Sequence, residues 1–511
     1  MDKPPHSRHW SGRIAWVTAR KITQGLALLG FTVLIITTGM DRAAYTLANF
    51  PIRLSPLAML ASLICSRTFL SGMTVSLLLI FSSLVVGRAW CGWLCPLGTI
   101  LEIFQFRKTK KDTRIPERMR AAKYGFLIVI LLSAIFSNLT LLIFDPLTIF
   151  TRTMTLTILP VFDQLFTAIE KLFVSIPFLS NAVYRFDLLI RPVILPVKPA
   201  VFQYAILTGF FFVAIILLNL LAERFWCRYL CPLGAFLGLF SRLSLFKRRV
   251  KDDCAKCHLC EVHCPTGTID PQKDYSSDPA ECTLCMNCLR DCPKKALSFS
   301  PTFSRAPRRE YDPGRRTLLN SLLVSVTLSA LLSIEWIRKY PRNHFLRPPG
   351  AARDAFSSAC IRCGLCMKVC PTGGLQVDLS QSGIEAAGTP ILVPRLGYCQ
   401  FSCNACGQIC PVGAIPLLDL KEKQNAVIGK AYIEHDRCIA WSDHQTCIVC
   451  EEMCPLPQKA ITLDSGKFVA PDGSSITISL PVVNREMCIG CGICENKCPV
   501  AGEAAIRVYT T

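Results

Sequence analysis

Six cysteine quartets, each closing on a Cys-Pro pair, constrain this chain more than any other feature of it. Four follow the spacing C-x2-C-x2-C-x3-C-P: Cys254, Cys257, Cys260 and Cys264; Cys282, Cys285, Cys288 and Cys292; Cys360, Cys363, Cys366 and Cys370; Cys488, Cys491, Cys494 and Cys498. Two are variants. Cys399, Cys403, Cys406 and Cys410 open with a three-residue gap, and Cys438, Cys447, Cys450 and Cys454 open with an eight-residue gap. Three thiolates two residues apart let a short loop wrap three irons of a cubane, while the fourth reaches a partner cluster, so quartets work in pairs. The proline that follows ends the loop without sacrificing an amide donor. These 24 cysteines are therefore expected to hold six 4Fe-4S clusters. A disulfide framework does not repeat so regularly around an intervening apolar region, and zinc knuckles do not use a third C-x2 step followed by C-x3-C-P.

At 51% hydrophobic over 511 residues, the chain is too apolar to be a soluble string of ferredoxins. Apolar runs near 23–40, 70–87, 122–143, 201–221 and 317–336 approach the roughly 20 residues of a spanning helix. The expected fold is a membrane α-helical bundle of about four helices plus a fifth anchor helix, carrying α+β bacterial-type ferredoxin domains. The stretch 46–65 is also apolar, but Pro51, Arg53 and Pro56 interrupt it, and it reads as interfacial or re-entrant.

The net charge of +20 gathers at the ends of these runs, which points to a membrane lipid surface and away from nucleic acid. Lys3, Arg8, Arg13, Arg20 and Lys21 precede the first run, and Arg107, Lys108, Lys110, Lys111, Arg114, Arg118, Arg120 and Lys123 lie between the second and third. Both loops read as cytoplasmic by the excess of cations on that side of membranes. Segment 145–200 is sparser in cations and offsets them with Asp145, Asp163, Glu170 and Asp187, so it reads as periplasmic. The quartets at 254–292 then form a cytoplasmic two-cluster module.

An internal repeat lies in the apolar part: Arg88-Ala-Trp90-Cys91-Gly-Trp-Leu-Cys95-Pro-Leu-Gly98 aligns with Arg224-Phe-Trp226-Cys227-Arg-Tyr-Leu-Cys231-Pro-Leu-Gly234. Thiols four residues apart on a helix point to one side, and Pro96 and Pro232 are expected to end or bend each helix. Cys91, Cys95, Cys227 and Cys231 could hold a seventh iron-sulfur or other metal centre, act as reducible dithiols, or pack as silent cysteines at a helix contact. Cys65 reads as a plain apolar residue. His258 and His263 sit inside a quartet that four cysteines already complete, so they read as surface or supporting residues. No phosphate-binding glycine loop or Ser-His-Asp set is present, and the one C-x-x-C-H string, Cys254-Ala-Lys-Cys257-His258, falls inside a quartet.

Two C-x3-C-P motifs followed by a two-cluster segment resemble the NapH-type membrane iron-sulfur proteins over about residues 1–300. From about 310 onward the chain resembles NapG-type proteins, through a twin-arginine-like Gly314-Arg315-Arg316-Thr317-Leu318-Leu319-Asn320, then Leu346-Arg347-Pro348-Pro349-Gly350-Ala351 and the four later quartets, including the wide one at Cys438. The domains are accordingly 1–250, membrane; 251–300, two-cluster module; 301–345, basic linker and fifth helix; and 346–511, a four-cluster domain, which the resemblance places in the periplasm of a multi-pass inner-membrane protein. The resemblance implies nested pairing. The first of the four later quartets would share clusters with the last, and the second with the third. In the cytoplasmic module Cys254, Cys257 and Cys260 would take Cys292, and Cys282, Cys285 and Cys288 would take Cys264.

It further implies a quinol dehydrogenase subunit that draws on the quinone pool and passes electrons to a periplasmic c-type cytochrome or other redox subunits of a respiratory complex. Related arrangements occur in methylamine-utilisation and nitrous-oxide systems. Asp41 and Asp145, beside the outer ends of two runs, are candidate proton acceptors. Two alternatives remain at this stage: a membrane ferredoxin that reduces another metalloenzyme during its maturation, and a conduit from a cytoplasmic donor to quinone.

Overall fold

The computed structural model describes residues 8–39, 45, 47–69, 71–105, 117–176, 178, 180–194, 200–301, 323–324, 326–327, 345–352, 355–379, 384–469 and 475–510. They divide between two units. Residues 1–35, 50–153 and 207–333 form the first, and 36–49, 154–206 and 334–511 the second. Asp41, most of the basic loop before Arg118, the twin-arginine-like motif and nearly all of the fifth apolar run lie outside the described residues.

Apolar helices build the first unit. The helix Arg8–Ile36 starts in it, and its stretch Ala15–Ile36 is the one helix among the described residues long and apolar enough to cross a membrane. The next three runs form shorter helices: Thr74–Val86, Ala122–Ile135 and Ala205–Leu217, of 13, 14 and 13 residues, the last extended by a 3-10 turn to Leu220. Local backbone marks two of their C-terminal ends. Gly87 at φ +75° stops the first of them, and Ser137 at φ +59° follows the second. Around Pro56 the interrupted stretch forms the helix Pro56–Ser66, whose Ser55 hydroxyl accepts from the Ala58 amide. Ser55 also donates to Asp145 Oδ1 at 3.0 Å, and Asp145 Oδ2 accepts from Leu147 and Thr148, so Asp145 caps the helix Pro146–Thr153. Leu57, Leu97, Leu101, Ile130 and Leu147 form the innermost packing of this unit.

A ferredoxin module completes the first unit. Strands Phe246–Val250 and Leu297–Pro301 pair antiparallel, Phe246 opposite Pro301, and bring the two ends of the module together. Ile269, Tyr275 and Leu297 pack with its cysteines.

In the second unit, segment 154–206 is largely helical, with helices Leu159–Val174 and Ser180–Ile194. It is part of the four-quartet domain and not a bare loop: Leu156 and Phe202 join Leu346, Leu375, Val377, Leu392 and Ile506 in one core. Gln376 ties the segment down, donating to Val201 O at 3.0 Å and accepting from the Gln203 amide at 2.8 Å. Three antiparallel pairs frame the domain, Leu375–Val377 with Pro390–Leu392, Lys430–Ile433 with Ile506–Tyr509, and Ile461–Val469 with Ser475–Val483.

Candidate metal centres

Each C-x2-C-x2-C run folds into a loop with an unusual backbone. The residues just before and just after the middle cysteine are left-handed in all four copies: Lys256 and His258, Leu284 and Met286, Arg362 and Gly364, Gly490 and Gly492, with φ between +49° and +84°. Alternating right- and left-handed residues turn successive amides toward one point, the concavity that anions and iron-sulfur clusters occupy. Amides also reach the thiols directly: Arg362 N lies 3.4 Å from Cys360 Sγ, Ile415 N 3.5 Å from Cys410 Sγ, and Ala431 N 3.3 Å from Cys488 Sγ. Such bonds stabilise a thiolate and tune the potential of a cluster.

Burial pushes the thiols of Cys282, Cys285 and Cys288 up to about 12, with neighbouring cysteines adding to the effect. Without metal these groups are protonated at neutral pH, so loading releases protons. No group of three or more ligating side chains among the described residues closes around a point small enough for a single ion. The thiols instead line wider spaces, as cubane ligands do.

In the two-cluster module the expected pairing holds. Cys254, Cys257 and Cys260 line a cavity with Cys292, and Cys264 is a charge neighbour of Cys282, Cys285 and Cys288.

In the four-quartet domain the nested pairing is wrong, and consecutive quartets combine. Cys399, Cys403 and Cys406 share a cavity with Cys370, and Cys410 is the partner beside Cys360, Cys363 and Cys366. Cys438, Cys447 and Cys450 share a cavity with Cys498, while Cys454 is the neighbour of Cys491 among Cys488, Cys491 and Cys494. Hairpins explain the exchange. The pair Leu375–Val377 and Pro390–Leu392 folds the chain back between the first two quartets, and a β-carbon on Gly374 would sit 2.4 Å from Gly397 O. The longer hairpin, with Ile461 opposite Val483, does the same between the last two. The two halves touch where the Cys399 amide donates to Cys491 O at 2.8 Å.

Long cations brace these loops. Arg395 donates to the carbonyls of Glu495, Cys498 and Val500. Lys423, 3% exposed, donates to Gln400 O and Phe401 O. The histidines play supporting parts: His258 bonds Glu261 and Tyr275, and His263 bonds Asp291.

The repeated motifs fold differently from a pair of helix ends. Cys91 lies in the short helix Ala89–Trp93 and Cys227 in the π-turn Trp226–Leu230. Cys95 and Cys231 are extended, and each caps a new helix, Pro96–Ile103 or Pro232–Ser241. Each proline therefore begins a helix, as its fixed φ and missing N–H favour at the first position. All four cysteines come together, Cys231 being a charge neighbour of Cys227, Cys91 and Cys95.

Two ion clusters that the sequence did not single out hold this region. Glu102 receives Arg20 through both oxygens at 2.6 and 2.7 Å, Gln24 at 2.8 Å, and Arg224. Burial alone would raise Glu102, but these partners hold it down to about 2. Glu281, next to Cys282, receives Lys123 at 2.5 and 2.6 Å and Arg88 at 3.2 Å. Basic residues that read as membrane-flanking charge thus include buried structural partners.

Comparison with known proteins fits these sites. The "Methylamine utilization ferredoxin-type protein MauM" of Methylorubrum extorquens is 40% identical over 208 residues, covering 39% of this chain and 89% of that protein. The chain belongs to the NapG and MauM ferredoxin-type family. NapG proteins of Haemophilus influenzae and Escherichia coli are 38% and 36% identical, each covering 32% of this chain and 58% and 69% of their own lengths. A 4Fe-4S dicluster family model matches residues 359–414, the first two consecutive quartets of the family domain, and a 4Fe-4S binding model matches 481–501. A further 4Fe-4S binding domain model matches twice, at 68–114 and 204–251, around the two repeated motifs. No solved structure matches. The chain is an iron-sulfur electron-transfer protein of the ferredoxin type, with several 4Fe-4S clusters.

Proposed function

We propose that this protein is a membrane-bound quinol dehydrogenase subunit. It oxidises a quinol of the menaquinol type and passes electrons one at a time through six clusters, held by the 24 quartet cysteines, to a periplasmic c-type cytochrome or reductase. Each quinol releases two electrons and two protons to become quinone, and each cluster carries one electron, so the string divides a two-electron oxidation into single steps.

One observation carries the periplasmic side of this reading. Lys368, between the last two cysteines of the first quartet in the four-quartet domain, donates to Ile36 O at 3.1 Å and to Thr38 Oγ1. Ile36 ends the membrane-length helix, whose opposite end follows the cation-rich start of the chain. An excess of cations favours the cytoplasmic side, and this supports the reading that the domain holding Ile36 is periplasmic.

The exposed surface supports a lipid setting. Trp16, Ile22, Leu26, Leu29 and Val33 stand exposed along the first helix, and Ile206, Leu207, Phe210 and Val213 along Ala205–Leu217. A contiguous apolar surface of this kind marks an interaction with membrane or protein. In the second unit, helix Leu159–Val174 exposes Val161, Phe162, Leu165, Ile169 and Leu172, the pattern of a helix lying in a membrane interface.

Protease treatment of intact spheroplasts, with a tag after Thr511 and lysed cells as control, tests the sidedness. Digestion of the tag is expected, and protection until lysis would overturn the reading. Membranes carrying the protein should also reduce its clusters on addition of menaquinol, and clusters that stay oxidised would remove the dehydrogenase assignment.

A further inference from the structure

The two repeated motifs meet inside the first unit, and the polar groups around them are left over by the protein's own bonding. Cys91, Cys95 and Cys231 are more than nine-tenths buried. Cys95 is a charge neighbour of Cys91 and Cys227, and Cys231 of all three others. The copies match in backbone as well. Cys95 has φ −66° and ψ 118°, and Cys231 has φ −63° and ψ 110°. Each sulfur accepts an amide, Gly98 N at 3.5 Å and Gly234 N at 3.2 Å, in the same manner as the quartet thiols Cys360 and Cys488.

Unsatisfied donors are duplicated too. Arg88 and Arg224, three residues before the first cysteine of each motif, are essentially inaccessible, yet Arg88 Nε and Arg224 Nε and Nη1 have no hydrogen-bond acceptor. Trp90 and Trp226, immediately before those cysteines, bury indole N–H groups that also lack one. Arg88 is a charge neighbour of Cys91 and Cys231, and Arg224 of Cys227. Each of two carboxylates is met by two buried cations, Glu102 by Arg20 and Arg224 and Glu281 by Arg88 and Lys123.

Buried charge of this kind is tolerated when it is paired. A cluster core with two positive charges on four thiolates has a net charge of about minus two and accepts N–H donors at its sulfurs. We propose that Cys91, Cys95, Cys227 and Cys231 jointly hold one additional iron-sulfur cluster, two thiolates coming from each repeat. The family description gives each repeat as a binding domain, whereas the geometry makes the two repeats halves of one site.

The position of the site gives it a task. Trp93 Nε1 donates to Leu284 O at 3.0 Å, a β-carbon on Gly92 would sit 2.2 Å from Thr283 O, and Arg224 is a charge neighbour of both Cys227 and Cys285. The cluster therefore lies against the loop of Cys282 and Cys285. A cluster held by Cys91, Cys95, Cys227 and Cys231 would be placed to exchange single electrons with one held by Cys282, Cys285, Cys288 and Cys264, one giving up the electron that the other takes.

The full chain, purified without oxygen in lipid nanodiscs, tests this by iron analysis and by spin-counted electron paramagnetic resonance after reduction. Six cubanes hold about 24 irons, and the additional cluster adds about two or four with one further signal. The wild-type chain is expected to carry that increment, and Cys91→Ser with Cys227→Ser to lose it alone. Wild-type protein with no iron or signal beyond six clusters would overturn the proposal without recourse to any variant, and so would stoichiometric zinc. Either result would leave the six quartet clusters standing.

Discussion

Replacing Glu281 with Gln should loosen the ferredoxin module at one identifiable point. Glu281 is 6% exposed, and its two cations, Lys123 and Arg88, are 0% and 1% exposed. Lys123 contacts both carboxylate oxygens, and Arg88 also donates to Ala280 O at 2.8 Å. Removing one member of a buried charged set costs about 3–5 kcal/mol because the remaining charges stay desolvated. That corresponds to roughly a hundredfold to a few thousandfold in the opening equilibrium of the segment. Cys282 follows directly, so iron loss should fall first on the cluster of Cys282, Cys285, Cys288 and Cys264.

The sign of the pH effect follows from the same partners. Burial works to raise Glu281, but the charges of Lys123 and Arg88 hold it below its ordinary value. Its contribution is complete above about pH 4.5 and is lost as pH falls below that value. Hydrogen exchange across 280–285 in nanodiscs, with iron retention measured in parallel, reads both effects. Adding Lys123→Met should recover part of the loss, since an apolar replacement relieves one stranded charge. Unchanged exchange in Glu281→Gln, or a double variant worse than the single, would refute this reasoning.

Iron loss tests the pairing of quartets. Cys363→Ser and Cys410→Ser strike one cluster, so the double variant should lose about four irons, no more than either single, whereas Cys363→Ser with Cys498→Ser should lose about eight; the nested arrangement reverses these results. Gly92→Ala should push its methyl into Thr283 O and destabilise the module's contact by about 1–3 kcal/mol, seen as faster exchange at Thr283 and Leu284. Glu102 is held at about 2, so its contribution to stability is present above pH 4.5 and declines toward pH 2. Thermal unfolding of Glu102→Gln across that range should show a flatter acid limb than the wild type.

The cysteine spacing makes the cluster-bearing loops readable, because each ligand set is local. Gly364, Gly490 and Gly492 even mark the left-handed positions, although Leu284 and Met286 hide the same backbone behind ordinary side chains. Pairing was less readable, since it depends on where a hairpin such as Ile461 opposite Val483 returns the chain. Spacing assigns ligands and says little about such returns. The first four apolar runs coincide with helices, but the run 122–143 overstated its helix, which left-handed Ser137 ends early. Arg20, Arg88 and Arg224 read as flanking charge, and their burial against Glu102 and Glu281 depends on contacts more than 80 residues apart in sequence.

The left-handed loops also bear on maturation. In the two-cluster module the four positions flanking the middle cysteines are Lys256, His258, Leu284 and Met286, none of them glycine. An ordinary residue in that conformation costs about 1–2 kcal/mol, so the four together oppose the loop shape by about 4–8 kcal/mol. In the four-quartet domain glycine fills three of the four equivalent positions and removes most of that opposition. A chain that fails to acquire iron therefore relaxes first in the two-cluster module, where exposed loops become substrates for proteolysis.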